Sequence, residues 1–181
     1  ADEALYNASV AYIEAGRVAE AIEMREEFIQ RFPKSQYTAD VTQFLADNYR
    51  KVTDFENAIY YYELLAAQHP AHEMATDALY NAGLFRENLG DWQKAIENYR
   101  QYVERAKDRS DTHQVLYNIA GIYERHGHGK KAGKVYGEYI KTYKTQHLDN
   151  YLDARDKLIA MDYDAGKKKA AYKKYNELLK E

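Results

Sequence analysis

Four alanines, Ala21, Ala58, Ala95 and Ala132, stand 37 residues apart. A fixed period of this kind constrains a fold strongly, because each unit must bury its apolar face against the next copy of itself. Other positions keep the same register. The residue after the alanine is Ile22, Ile59, Ile96 and then Gly133. Four residues beyond the alanine come Tyr62, Tyr99 and Tyr136, with Arg25 in the first copy. The segment upstream reads Leu5-Tyr6-Asn7-Ala8, Leu79-Tyr80-Asn81-Ala82 and Leu116-Tyr117-Asn118-Ile119. Between the two segments lie Ala15-Gly16-Arg17-Val18, Val52-Thr53-Asp54-Phe55, Leu89-Gly90-Asp91-Trp92 and His126-Gly127-His128-Gly129.

The repeated unit reads as two helices joined by a tight turn. Small residues (Ala8, Ser9, Ala46, Ala82, Gly83, Ala120 and the four alanines) let antiparallel helices approach closely. Large residues at helical spacing (Tyr12, Tyr49, Tyr123, Phe28, Leu65, Tyr102, Tyr139) fill the space between layers. Glycine at the turn permits a left-handed C-cap, and Asp54 or Asp91 can cap the next helix. Two prolines and nine glycines leave little for linkers, and the scarcity of Val and Ile favours helix over strand.

Leu79, Ala82-Gly83, Gly90-Asp91-Trp92, Ala95 and Tyr99, with Pro33 and Pro70 closing their units, resemble the tetratricopeptide repeat. The resemblance implies an all-α fold, a right-handed superhelical solenoid of about five antiparallel helix hairpins. Residues 1–181 are expected to form a single array, with hairpins near 2–36, 37–73, 74–110, 111–147 and 148–181. The family's usual period is about 34 residues, and the surplus is assigned to the stretch between hairpins, such as Phe32-Pro33-Lys34-Ser35-Gln36-Tyr37. Arg86 and Arg25 stand where the family carries aromatics. Gly129, Gly133 and Gly137 make the fourth hairpin the expected soft point. The fifth, with Leu158-Ile159, Gly166, Ala171, Tyr175 and Leu178-Leu179, is slipped by two residues. No polar capping helix follows it, and the chain starts without Met, so a longer parent array is expected.

Catalytic chemistry is sparse. There is no cysteine, and the only close histidine pairs are His126-x-His128 and His69-x-x-His72, read as turn and linker residues in solvent. Glu23, Glu26 and Glu27 read as a solvated helix face. Gly127-His128-Gly129-Lys130-Lys131 is weakly phosphate-like but occupies the ordinary repeat turn. The expectation is therefore a chain that is not an enzyme, with no metal and no cofactor. A net charge of -3 argues against nucleic acid, and no apolar run suits direct membrane insertion. Charge is uneven: residues 1–74 carry 6 basic and 13 acidic side chains, residues 112–148 carry 6 and 2.

In this family the first helices line a concave groove. By register the groove takes Glu3, Tyr6, Val10 and Ile13, then Asp40, Gln43, Asp47 and Arg50. It continues with Asp77, Tyr80, Leu84 and Glu87, and with Gln114, Tyr117, Gly121 and Glu124. Spaced tyrosines offer flat stacking surface to a peptide or helix, or they pack against the next hairpin; both readings stand. The subfamily that clamps a C-terminal carboxylate uses cations where this chain has Glu3, Tyr6, Asp40 and Asp77, although Asn7, Asn81 and Asn118 match. An acidic groove suits a neutral or basic segment. The function expected is a protein-binding scaffold; the alternatives are a self-assembling array and an accessory region of a larger enzyme or envelope complex. The long period and Pro33-x-Ser35-x-Tyr37 look like bacterial envelope members of the family. These include the outer-membrane assembly lipoprotein and the Tol–Pal-associated periplasmic protein. That resemblance implies the periplasm or cell envelope, with the cytoplasm as the alternative.

Overall fold

A computed structural model describes residues 1–143 and 146–180. Lys144, Thr145 and Glu181, at the expected limits of the fourth and fifth hairpins, lie outside the described residues. Among those described there are ten helices and no strand: α1 Asp2–Glu14, α2 Val18–Arg31, α3 Thr38–Lys51, α4 Phe55–Gln68, α5 Ala75–Asn88, α6 Trp92–Arg105, α7 Thr112–Arg125, α8 Gly129–Tyr143, α9 Leu148–Asp164 and α10 Lys168–Leu178. The chain divides into two compact units, Ala1–Asn98 and Tyr99–Glu181. In the first, α1 to α5 pack in chain order; in the second, α7 packs on α8, α8 on α9 and α9 on α10.

Every hairpin closes in the same way. Gly16, Gly90, Gly127 and Gly166 take φ between 73° and 85°, and Thr53 takes 61° at the matching place. The amide after each reaches back five residues: Arg17 N–H to the Tyr12 carbonyl, Asp54 to Tyr49, Asp91 to Arg86, His128 to Tyr123 and Lys167 to Asp162, all within 2.8–2.9 Å. This is the Schellman closure, which satisfies the last carbonyls of the first helix. Thr53 adopts a left-handed conformation that a β-branched residue resists. Asp54 then caps α4 by accepting from the Asn57 amide at 3.2 Å.

Six residues separate the hairpins at 32–37, 69–74 and 106–111, which is where the extra length of the period resides. These links are built alike. Ser35 N–H bonds the Phe32 carbonyl, His72 that of His69 and Arg109 that of Ala106, each at 3.0 Å. Thr38 and Thr112 then turn their hydroxyls back onto the Phe32 and Ala106 carbonyls.

The core follows the alanine register. Ala21, Ala58, Ala95 and Ala132 are wholly buried. In the first unit Ala46, Ala58, Ile59, Tyr62, Leu65, Ala78 and Ala82 form one cluster, and Ile22, Phe28, Val41 and Leu45 another. In the second, Tyr102, Leu116, Ile119, Ile122, Tyr136 and Tyr139 are the large buried side chains. At Gly133, where the other copies have isoleucine, α9 packs close: a Cβ there would sit 3.4 Å from Met161 Sδ and 3.5 Å from Leu158 Cδ2.

A polar cluster recurs at the same period. Glu26 of α2 accepts from the Tyr49 hydroxyl at 2.6 Å and the Tyr61 hydroxyl at 3.1 Å. One period on, Glu63 accepts from Arg86 Nε and Nη2 at 2.7 and 2.8 Å, and from Asn98 Nδ2 at 2.8 Å. Arg86 stands where Tyr49 stands, and Asn98 where Tyr61 stands. Arg86 thus does for Glu63 what the Tyr49 hydroxyl does for Glu26. Its third contact is Asp91 at 2.8 Å.

Burial pushes the Glu63 carboxyl up, but the hydrogen bonds from Arg86 and Asn98 outweigh it and hold the group below its ordinary value of 4.5. A carboxylate with a lowered folded pKa stabilises above its unfolded pKa and loses that contribution as pH falls through the folded one. Arg86→Met is expected to cost about 2 kcal/mol, less than a fully buried pair because Glu63 keeps contact with water. Adding Glu63→Met should recover part of it. Urea melts should show these losses at pH 7 and a shallower decline below about pH 4.5 in either variant than in the native chain.

Candidate binding surface

The first helices of the first unit present a mixed face. On α1, Glu3 is exposed, Tyr6 is half-buried and stacks on Tyr37 with centroids 4.6 Å apart, and Val10 and Ile13 are half-buried. On α3, Asp40 lies 2.9 Å from His72 Nε2, and Asp47 accepts from the Tyr62 hydroxyl at 2.8 Å. Arg50 is exposed, 3.8 Å from Asp47; Gln43 is half-buried. On α5, Asp77, Tyr80 and Glu87 are half-buried, while Leu84 is 37% exposed.

In the second unit the matching positions of α7 are taken up with packing. The Tyr117 hydroxyl donates to Asp153 of α9, and its ring lies 5.5 Å from those of Tyr136 and Tyr139. Glu124 accepts from the Tyr136 hydroxyl at 2.9 Å and from Lys157 Nζ at 3.1 Å. Gln114 is exposed and accepts from Asn150 at 3.0 Å; Gly121 is half-buried.

Two histidines depart from the sequence reading. His72 is not a solvent residue: its side chain is 12% exposed and bridges to Asp40. His69 buries Nε2 without a hydrogen-bond partner, and burial, with His72 nearby, lowers its pKa. The register carried the signal. His72 occupies the place of Ser35, whose hydroxyl ties back to Asp2 at 2.7 Å, so this link position anchors onto a preceding first helix. His126 and His128 are exposed. Among the described residues no group of three or more His, Cys, Asp or Glu could hold a metal ion. No described helix is long and apolar enough to cross a membrane.

Residues 1–181 match the family model YfiO, outer membrane lipoprotein. The chain belongs to the YfiO family. Photosystem I assembly protein Ycf3 of Rippkaea orientalis is 29% identical over 73 residues, covering 39% of this chain and 42% of that protein. Ycf3 of Synechococcus sp. (strain CC9605) is 31% identical over 62 residues, covering 34% and 36%. The chain thus matches about two fifths of the length of these curated relatives. Solved structures share the fold: a MamA protein of AMB-1 (TM-score 0.58, 18% identity, 82% of this chain and 76% of that one). A second is a tetratricopeptide repeat protein of Parabacteroides merdae (0.56, 16%, 99% and 66%). A third is the kinesin light chain TPR-like repeats of Podosopora anserina (0.51, 16%, 97% and 92%). The fold of this YfiO-family chain is therefore the tetratricopeptide-type run of helix hairpins, a class that generally serves as a non-catalytic scaffold.

Phenols bonded to carboxylates are a feature of its first-helix faces. Burial first, and then the neighbouring carboxylate, raises the pKa of Tyr62 beside Asp47, Tyr117 beside Asp153 and Tyr136 beside Glu124. Tyr49 and Tyr61 are raised by burial and Glu26. A raised phenol stabilises fully below the unfolded pKa near 10, and the contribution fades as pH rises toward the folded value. Titration followed at 295 nm should show these five tyrosines ionising only with alkaline unfolding, as a step coincident with loss of helical circular dichroism. Smooth ionisation of all tyrosines before helix loss would contradict the contacts.

Proposed function

We propose that this chain is a protein–protein interaction scaffold of the cell envelope, one run of hairpins over residues 1–181 that holds a peptide segment against its first-helix face. The observation that carries the reading is the strip that α1, α3 and α5 keep outside the core. Aromatic and aliphatic side chains (Tyr6, Tyr80, Leu84) alternate there with acidic ones (Glu3, Asp40, Asp47, Asp77, Glu87) and with Arg50. Flat rings and an exposed leucine among carboxylates suit a segment with apolar anchors and neutral or basic residues between them. Membership of an outer membrane lipoprotein family supports the envelope location, and the assembly role in the name of the Ycf3 relatives supports a part in building a complex.

The reading is tested on a peptide array whose segments carry either lysine or glutamate at their central positions. The native chain should retain the lysine-bearing set several-fold better. Tyr80→Ala combined with Leu84→Ala should lose most of that binding with an unchanged melting temperature. Preference for central glutamate, or full binding by the double variant, would overturn it.

A further inference from the structure

Arg25 is a buried cation without a carboxylate. It lies on α2, is 4% exposed, and its Nε donates to Ser9 Oγ at 3.2 Å. Ser9 is itself buried and spends its own proton on the Tyr6 carbonyl at 2.8 Å. The guanidinium lies over the Phe44 ring, 4.9 Å from its centroid. Burial lowers the Arg25 pKa, opposed only by the Tyr6 phenol; no acidic side chain contributes. Elsewhere in the same unit the half-buried Arg86 of α5 holds two carboxylates, Glu63 and Asp91. The terminal nitrogens of Arg25 make no hydrogen bond within the described protein. They are not sealed off either, since the buried side-chain nitrogens lacking partners are Asn48 Nδ2 and His69 Nε2. A guanidinium carries five N–H donors in a planar fork, so four remain to be satisfied from outside.

The repeat shows what that fork replaces. Arg25 holds the place of Tyr62 and Tyr136. Their hydroxyls reach the first helix of their own hairpin, Tyr62 to Asp47 and Tyr136 to Glu124, both on the proposed binding face. The α1 residues matching those two acids are Val10 and Ile13. The first hairpin therefore carries a guanidinium where the second and fourth carry a phenol, and aliphatic residues at the positions of the accepting carboxylates. Its missing half is an anion with two oxygens.

We propose that Arg25, set between Ser9 and Phe44, is a carboxylate-binding subsite that takes a glutamate or aspartate side chain of the bound segment. The inference rests on the first-helix face being the binding surface. It gives the partner a polarity: an acidic residue over α1 and α2, with neutral or basic residues over α3 and α5. Arg25 lies on a second helix, apart from the first-helix positions of a terminal-carboxylate clamp.

The test is NMR titration of the intact chain with three small probes at constant ionic strength: N-acetylglutamate amide, N-acetylglutamine with a free terminal carboxylate, and N-acetylglutamine amide as the neutral control. The Arg25 Nε–Hε signal and the Ser9 and Phe44 signals should shift saturably with N-acetylglutamate amide, and not with the neutral control or with chloride. Arg25→Tyr, which restores the residue of the other copies, should abolish the response of Ser9 and Phe44 while the chain melts normally. Arg25→Met serves if the tyrosine variant does not fold. No saturable shift, or an undiminished response in the variants, overturns the proposal. Binding of the terminal carboxylate roughly tenfold more tightly, a difference of one charged hydrogen bond, overturns the side-chain assignment. These probes are too small to span the face. A failed peptide array with saturable binding of N-acetylglutamate amide would therefore reject the scaffold reading and leave an isolated anion site.

Discussion

Two antiparallel helices can approach backbone to backbone only where both have given up side-chain bulk. In the second hairpin that contact is made at Ala58 of the second helix, which shares a cluster with Ala46 of the first, and Ala21, Ala95 and Ala132 are wholly buried at the same register. The close approach fixes the spacing of the pair, and the spacing fixes everything placed around it. The turn can then be closed by three residues with a left-handed central one. Phe28 of α2 then packs in a cluster with Val41 and Leu45 of α3, and Tyr62 of α4 in one with Ala78 and Ala82 of α5.

What lies in that layer varies under one constraint: a carboxylate at the position of Glu26 and Glu63 must be satisfied. Tyr49 and Tyr61 do so with hydroxyls, whereas Arg86 and Asn98 do so with nitrogens. The geometry is conserved between copies while the chemistry changes from neutral to charged donors. The first hairpin shows the reverse case, in which Arg25 keeps the cationic donor while the acids of the facing helix have become Val10 and Ile13.

Most of the fold was legible in the sequence, because helix pairing depends on local, periodic features. The alanine register, the glycine turns and the six-residue links all leave marks at fixed positions. The proposed binding face was legible only as a direction. Register says that Asp40, Asp47, Tyr117 and Glu124 leave the first helices on one side, but not that His72, Tyr62, Asp153 and Lys157 meet them there. Those partners come from other helices and links, and their reach depends on side-chain length. Gly133 is similar: the sequence places it in the fourth hairpin, but not that Leu158 and Met161, from a hairpin slipped by two residues, pack beside it.

The dependence of the whole on the alanine contact is open to one direct measurement, the thermal melting of Ala58→Leu beside Ala67→Leu on the same helix. Ala58 is wholly buried and Ala67 exposed. Overpacking a close helix contact costs about 1–3 kcal/mol, so Ala58→Leu should melt well below the native chain while Ala67→Leu melts with it. Equal melting of Ala58→Leu and the native chain would contradict the claim that this contact sets the fold.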